Sequence, residues 1–105
     1  MPTTRLEQLI RFYEEDPTDP FILYGLALEF LKIDLEKSEV YFDKLLTDFP
    51  DYLATYYHVA KLKATLGKKE AAIDIYQKGI QLAIAQQDNA TQRELKSALD
   101  ELTFE

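Results

Sequence analysis

His58 is the only histidine in this chain, and there is no cysteine. An imidazole works as a general acid or base only beside a positioned partner. The residues one helical turn from His58 are Ala54, Thr55, Lys61 and Leu62, none of them a carboxylate. A metal site asks for several ligands at fixed spacing, and a lone histidine with no HxxxH neighbour and no thiolate does not supply them. The acidic groups Glu14-Glu15-Asp16 and Asp100-Glu101 fall at helix ends or on polar faces, the ordinary place for solvated charge. There is no glycine-rich phosphate loop and no GxSxG elbow. These residue types predict a protein that is not an enzyme and holds neither metal nor cofactor.

Charge narrows the partners further. Lys and Arg number 12 against 19 Asp and Glu, a net charge of -7 at pH 7, so the average field repels nucleic-acid phosphates and anionic membrane surfaces. No nucleic-acid or membrane partner is expected. The imbalance is uneven: residues 1–50 hold 11 acidic and 5 basic side chains, residues 51–105 hold 8 and 7. Any basic contact surface is therefore expected in the second half. The start, Met1 to Glu7, has neither a basic nor an apolar signal region, and the longest apolar run, Phe21 to Leu28, is far short of the roughly 20 residues that span a bilayer. A cytoplasmic location is the expectation.

The elements that would carry any site are helices. At 105 residues with 47% hydrophobic content the chain is expected to build one core and one domain, while three glycines and four prolines are too few for the turns of a β-sandwich. Apolar residues at three- and four-residue spacing mark six helices. The first, about 4–15, carries Leu6, Leu9, Ile10 and Tyr13 on one stripe and opens on the capping box Thr4-Arg5-Leu6-Glu7. Asp19 and Pro20 start a second, through about Lys32, and Asp34 caps a third over about 35–48. Pro50 and Asp51 open a fourth that ends at Gly67. A fifth runs over about 68–86, and Asn89 or Thr91 starts a sixth that ends near Leu102.

The chain also repeats itself. Pro17, Leu23, Leu26, Ala27, Phe30 and Ile33 recur 33 residues on as Pro50, Tyr56, Val59, Ala60, Lys63 and Leu66. Glu36, Ser38, Phe42, Leu45 and Leu46 recur 34 residues on as Glu70, Ala72, Tyr76, Gly79 and Ile80. The extra residue falls in the gap that holds Gly67, where a turn between two helices tolerates insertion and a helix interior does not. Ala27 and Ala60 opposite Ser38 and Ala72 let backbones approach closely, which is helical-hairpin packing.

A two-helix unit of this period, with Leu26-Ala27 and Val59-Ala60 in the first helices and Ser38, Phe42 and Ala72, Tyr76, Gly79 in the second, resembles the tetratricopeptide repeat family. Lys63, Leu45 and Ile84 depart from that pattern, and Ile84 in place of a closing proline implies that the fifth helix continues past its usual stop. The resemblance implies an all-α fold, a helical-hairpin repeat (α-α superhelix) of about six antiparallel helices. Within one repeat domain, 1–105, residues 1–16 form an N-terminal packing helix, 17–49 the first repeat, 50–84 the second and 85–105 a C-terminal cap. Leu95, Ala98, Leu99 and Leu102 then cover the last repeat, with Arg93, Glu94, Lys96, Asp100 and Glu101 facing water. Gly79, inside a helix, implies close contact with that cap.

The resemblance further implies that the first helix of each repeat lines a concave face where a peptide or protein segment docks. The candidate binding residues are Phe21, Tyr24 and Leu28 from one repeat and Tyr57, His58 and Lys61 from the other, with Gly25, Lys32, Ala54 and Thr65 beside them. Tyr57 follows the core residue Tyr56 and so points elsewhere, and Lys61 suits an acidic or carbonyl group on the ligand. The carboxylate clamp of lysine, asparagine and arginine found in some members is missing. The expected function is a non-catalytic interaction module, the alternative a self-associating homodimer that closes its exposed apolar face.

Overall fold

The computed structural model describes residues 4–104; the first three residues of the expected segment 1–16 and Glu105 of the expected cap lie outside the described residues. Six α-helices follow one another with no strand among the described residues: α1 (Arg5–Glu15), α2 (Pro20–Phe30), α3 (Leu35–Asp48), α4 (Ala54–Thr65), α5 (Lys69–Ala85) and α6 (Asn89–Thr103). The fold is the all-α helical-hairpin repeat that the sequence predicts. The helices group into two compact units, Met1–Tyr52 and Leu53–Glu105.

In the first unit α2 packs against both α1 and α3. The α2–α3 hairpin closes through small residues: Ser38 and Ala27 are fully buried, and the Ser38 hydroxyl donates to the Ala27 carbonyl at 2.7 Å. That bond satisfies a hydroxyl which would otherwise be costly at this depth. Leu9, Leu26 and Phe30 form a buried cluster joined by Leu6, Tyr13 and Tyr41. Ile10, expected on the same stripe, is instead 36% exposed, while Leu6, Leu9 and Tyr13 make the packed edge of α1.

In the second unit α5 packs against α4 and α6. Ala60, Ala72 and Val59 are fully buried, and Leu95 anchors α6, whose Arg93, Glu94, Lys96, Asp100 and Glu101 are exposed as expected of a cap. A Cβ built at Gly79 would stand 2.8 Å from the Tyr56 Cβ and 3.1 Å from Leu95 Cδ1, so the glycine lets α5 nest against α4 as well as against α6.

Caps decide the helix ends. Thr4, Asp19 and Asp34 accept from the amides of Glu7, Phe21 and Lys37, as residue type predicts. The inserted residue of the second copy is explained by Gly67, at φ 80°: Gly67 donates to Ala64 and Lys68 to Lys63, a Schellman closure that needs the left-handed conformation. Two expected starts are corrected. Residues 50–53 form turns and α4 begins only at Ala54, with no side-chain cap. Neither Asn89 nor Thr91 caps α6; Asp88 does, accepting both the amide and the hydroxyl of Thr91, so Thr91 is spent as a donor inside the helix. Helix α5 runs past Ile84, and Gln87, at φ 59°, closes it.

Candidate functional site

Three helices of the second unit converge on an open cleft of about 300 Å³. Helix α4 contributes Tyr57, Lys61, Ala64 and Thr65, α5 contributes Tyr76, and α6 contributes Ala98, Glu101 and Leu102. The α4 residues share a face because they recur at three- and four-residue spacing, while Tyr56, about 100° round the helix from Tyr57, turns into the core and is 8% exposed. Small Ala64 and Ala98 leave the space open, while a cation and an anion, Lys61 and Glu101, stand among the lining residues. The Lys61 ammonium lies 6.0 Å from the centroid of the Tyr57 ring, at the outer reach of a cation–π contact.

The polar groups are tuned by their surroundings. Burial, then the neighbouring Tyr57 phenol and Glu101 carboxylate, push the Tyr76 phenol above its ordinary value, which further favours the neutral phenol that donates a hydrogen bond. His58 stands edge-on to Tyr57, ring centroids 5.6 Å apart, but is not among the residues that line the cleft. Burial first, then the positive Lys61, lowers the His58 pKa from 6.5, and Glu94 opposes them. Folding therefore favours the neutral imidazole. Its contribution to stability is fully present above the unfolded value and declines as pH falls from there through the lowered folded value. Melting curves at about pH 7.5 and about pH 5.5 check this, since His58 is the side chain that changes charge in that window. His58→Gln is expected to lose less stability on acidification than the wild type, and equal losses would remove His58 from the account.

The structure places the first-unit candidates on other surfaces. Phe21 is 67% exposed. Leu28 is half-buried. Tyr24 is half-buried with its ring 6.4 Å from Phe42 and 5.6 Å from Tyr52, beside a shallow pocket lined by Pro20, Phe49, Pro50 and Tyr52. Gly25 is corrected: it is buried, and a Cβ there would meet Leu9 Cδ2 at 3.2 Å, so it seats α1 and offers nothing to a ligand. Sequence reasoning missed Tyr76, Ala98, Glu101 and Leu102 as cleft residues. Spacing puts Ala98, Glu101 and Leu102 on one side of α6, but it ties neither that side nor Tyr76 of α5 to α4. Among the described residues no group of three or more His, Cys, Asp or Glu is placed to hold a metal ion, and no helix is long and apolar enough to cross a membrane.

No protein-family model matches the chain, and no curated protein matches it. Solved structures do. A solution NMR structure of a tetratricopeptide repeat domain protein from Salinibacter ruber is 38% identical, with a TM-score of 0.79 over 84% of this chain and 90% of that one. A crystal structure of a tetratricopeptide repeat domain protein from the same organism is 36% identical, with a TM-score of 0.79 over 82% of this chain and 98% of that one. The crystal structure of MamA, at 18% identity and a TM-score of 0.67 over 92% of this chain and 64% of that one, shares the fold.

Proposed function

Since the chain belongs to the tetratricopeptide repeat family, a fold that serves protein–protein interaction, we propose that it is a non-catalytic module that holds a peptide or protein segment in the Tyr57–Lys61 cleft of its second unit. The observation that carries this reading is the convergence of two phenols, a lysine and a glutamate over the small side chains Ala64 and Ala98. Aromatic area with polar tips gives contact energy at low entropic cost, and the flanking charges select what enters. Lys61 pairs with an acidic or carbonyl group of the ligand, and His58 supports the Tyr57 ring from beside the cleft. On the first unit, Phe21, Tyr24 and Leu28 add a separate apolar contact surface.

Affinity capture from native lysate, read by mass spectrometry, tests the assignment. The wild type is compared with a folded Tyr57→Ala/Lys61→Glu variant. Tyr57 is half-buried and Lys61 exposed, so the change removes aromatic area and reverses a charge without emptying the core. A partner retained by the wild type and lost from the variant is the expected result. The same proteins with both baits would remove the cleft from the account, and recovery of the bait alone would favour self-association.

A further inference from the structure

The first unit carries a second surface whose character differs from that of the cleft. Residues 1–52 hold 12 acidic and 5 basic side chains, a net charge of -7, while residues 53–105 hold seven of each and are neutral. Among the described residues, six of the eight large exposed hydrophobic side chains also fall in the first unit, Phe12 at 47% and Phe21 at 67% among them. Phe12 stands in the last turn of α1 and Phe21 in the first turn of α2, on either side of the connecting residues 16–19. The Arg5–Glu29 bridge at 3.0 Å and the seat of Leu9 against Gly25 set α1 and α2 antiparallel, which brings the last turn of α1, with Phe12, beside the first turn of α2, with Phe21. Phe12 lies two turns beyond Arg5 and so on the same side of α1. Tyr13 turns to the other side, where its ring meets Tyr41 of α3 at 6.2 Å. On α2, Leu28 lies two turns beyond Phe21 and continues the strip.

Charge chooses what covers that strip. From Phe12 to Leu31 the sequence has five acids and not one lysine or arginine. Glu29 is already bridged to Arg5 and Lys32, whereas Glu15, Asp16 and Asp19 gather at the Phe12–Phe21 end. Asp16 and Asp19 accept hydrogen bonds from Thr18 and Phe21, which hold their carboxylates in place without neutralising them. We propose that the open face of α1 and α2, with Phe12, Phe21 and Leu28 as its apolar strip and Glu15, Asp16 and Asp19 at one end, docks a cationic amphipathic segment of a partner protein. The apolar side of that segment covers the phenylalanines, and its lysines or arginines meet the carboxylates. This surface rests on the first-unit contact surface of the proposed function and not on the cleft.

The probe is a synthetic amphipathic helical peptide with leucine on one face and lysine on the other, titrated into isotope-labelled protein and followed by amide resonances. Two control peptides accompany it: one with the same leucine face and glutamate replacing lysine, and one with the lysine composition scrambled so that no apolar face forms. The lysine peptide is expected to bind, to shift resonances over residues 8–16 and 19–29, and to weaken as salt rises. Both controls, the Phe12→Ser/Phe21→Ser variant and the Glu15→Lys variant are each expected to weaken binding by about tenfold or more. The substituted side chains are exposed, so the fold survives and circular dichroism verifies it. Lys61→Glu is expected to leave this binding unchanged. Equal binding of the lysine and scrambled peptides, shifts centred on Tyr57 and Ala98, or unchanged affinity in Phe12→Ser/Phe21→Ser would overturn the proposal. So would a wild-type dimer that the double serine variant dissolves, since a second copy would then be the occupant.

Discussion

Phe42→Ala is expected to destabilise the protein by about 3–5 kcal/mol, the range for truncating a fully buried phenylalanine. Phe42 is 0% exposed and lies with Leu23 and Leu45, also fully buried, inside the first unit, its ring 6.4 Å from Tyr24. Removing the ring forfeits its transfer energy and leaves a cavity that the hairpin cannot close, because the Ser38–Ala27 hydrogen bond fixes the spacing of α2 and α3. At roughly 4–8 °C per kcal/mol for a domain of this size, the melting temperature should fall by more than about 10 °C. A loss under about 1 kcal/mol in a denaturant titration would mean that Phe42 is not central to the core.

Gly79→Val should cost about 3 kcal/mol, although valine is the better helix former by a few tenths of a kcal/mol or more. The deciding quantity is the 2.8 Å between the position of a Cβ at Gly79 and the Tyr56 Cβ. That atom is fixed to the α4 backbone and cannot swing aside, so the helices must separate and the contact with Leu95 loosens with them. Gly25→Ala is the control. Its new methyl would meet the terminal carbons of Leu9 at 3.2 Å, which yield by rotation, and the helix-propensity gain of about 1 kcal/mol offsets the crowding. Chemical denaturation of both variants checks the pair. A Gly79→Val protein as stable as Gly25→Ala would show that α4, α5 and α6 are not packed this closely.

The helices were legible because their signals are local. Apolar spacing gives a 3.6 period, and Thr4, Asp19 and Asp34 stand where a side-chain oxygen can meet orphan amides. Asp88 escaped because it is followed by Asn89 and Thr91, residues of equal capping competence. What separates them is geometry, since only Asp88 accepts from both donors of Thr91. The start of α4 escaped because no side chain marks it; the chain turns through 50–53 before Ala54.

The candidate site was half legible for a similar reason. Tyr57 and Lys61 follow from the repeat, because their neighbour Tyr56 holds the core position. Tyr76 carried the signature of a core aromatic and is indeed only 4% exposed, yet its edge still closes the cleft. Glu101 belongs to the water-facing side of the cap, and nothing in the α6 sequence links it to α4. That link exists only once both helices pack on α5.

The most direct test of the interaction assignment is to titrate the segment recovered by capture into isotope-labelled protein and read which amides shift. The account predicts shifts at Tyr57, Lys61, Ala98 and Leu102, lost in Lys61→Glu while the melting temperature is kept. Shifts that avoid all four residues, or an affinity that Lys61→Glu leaves unchanged, would contradict it.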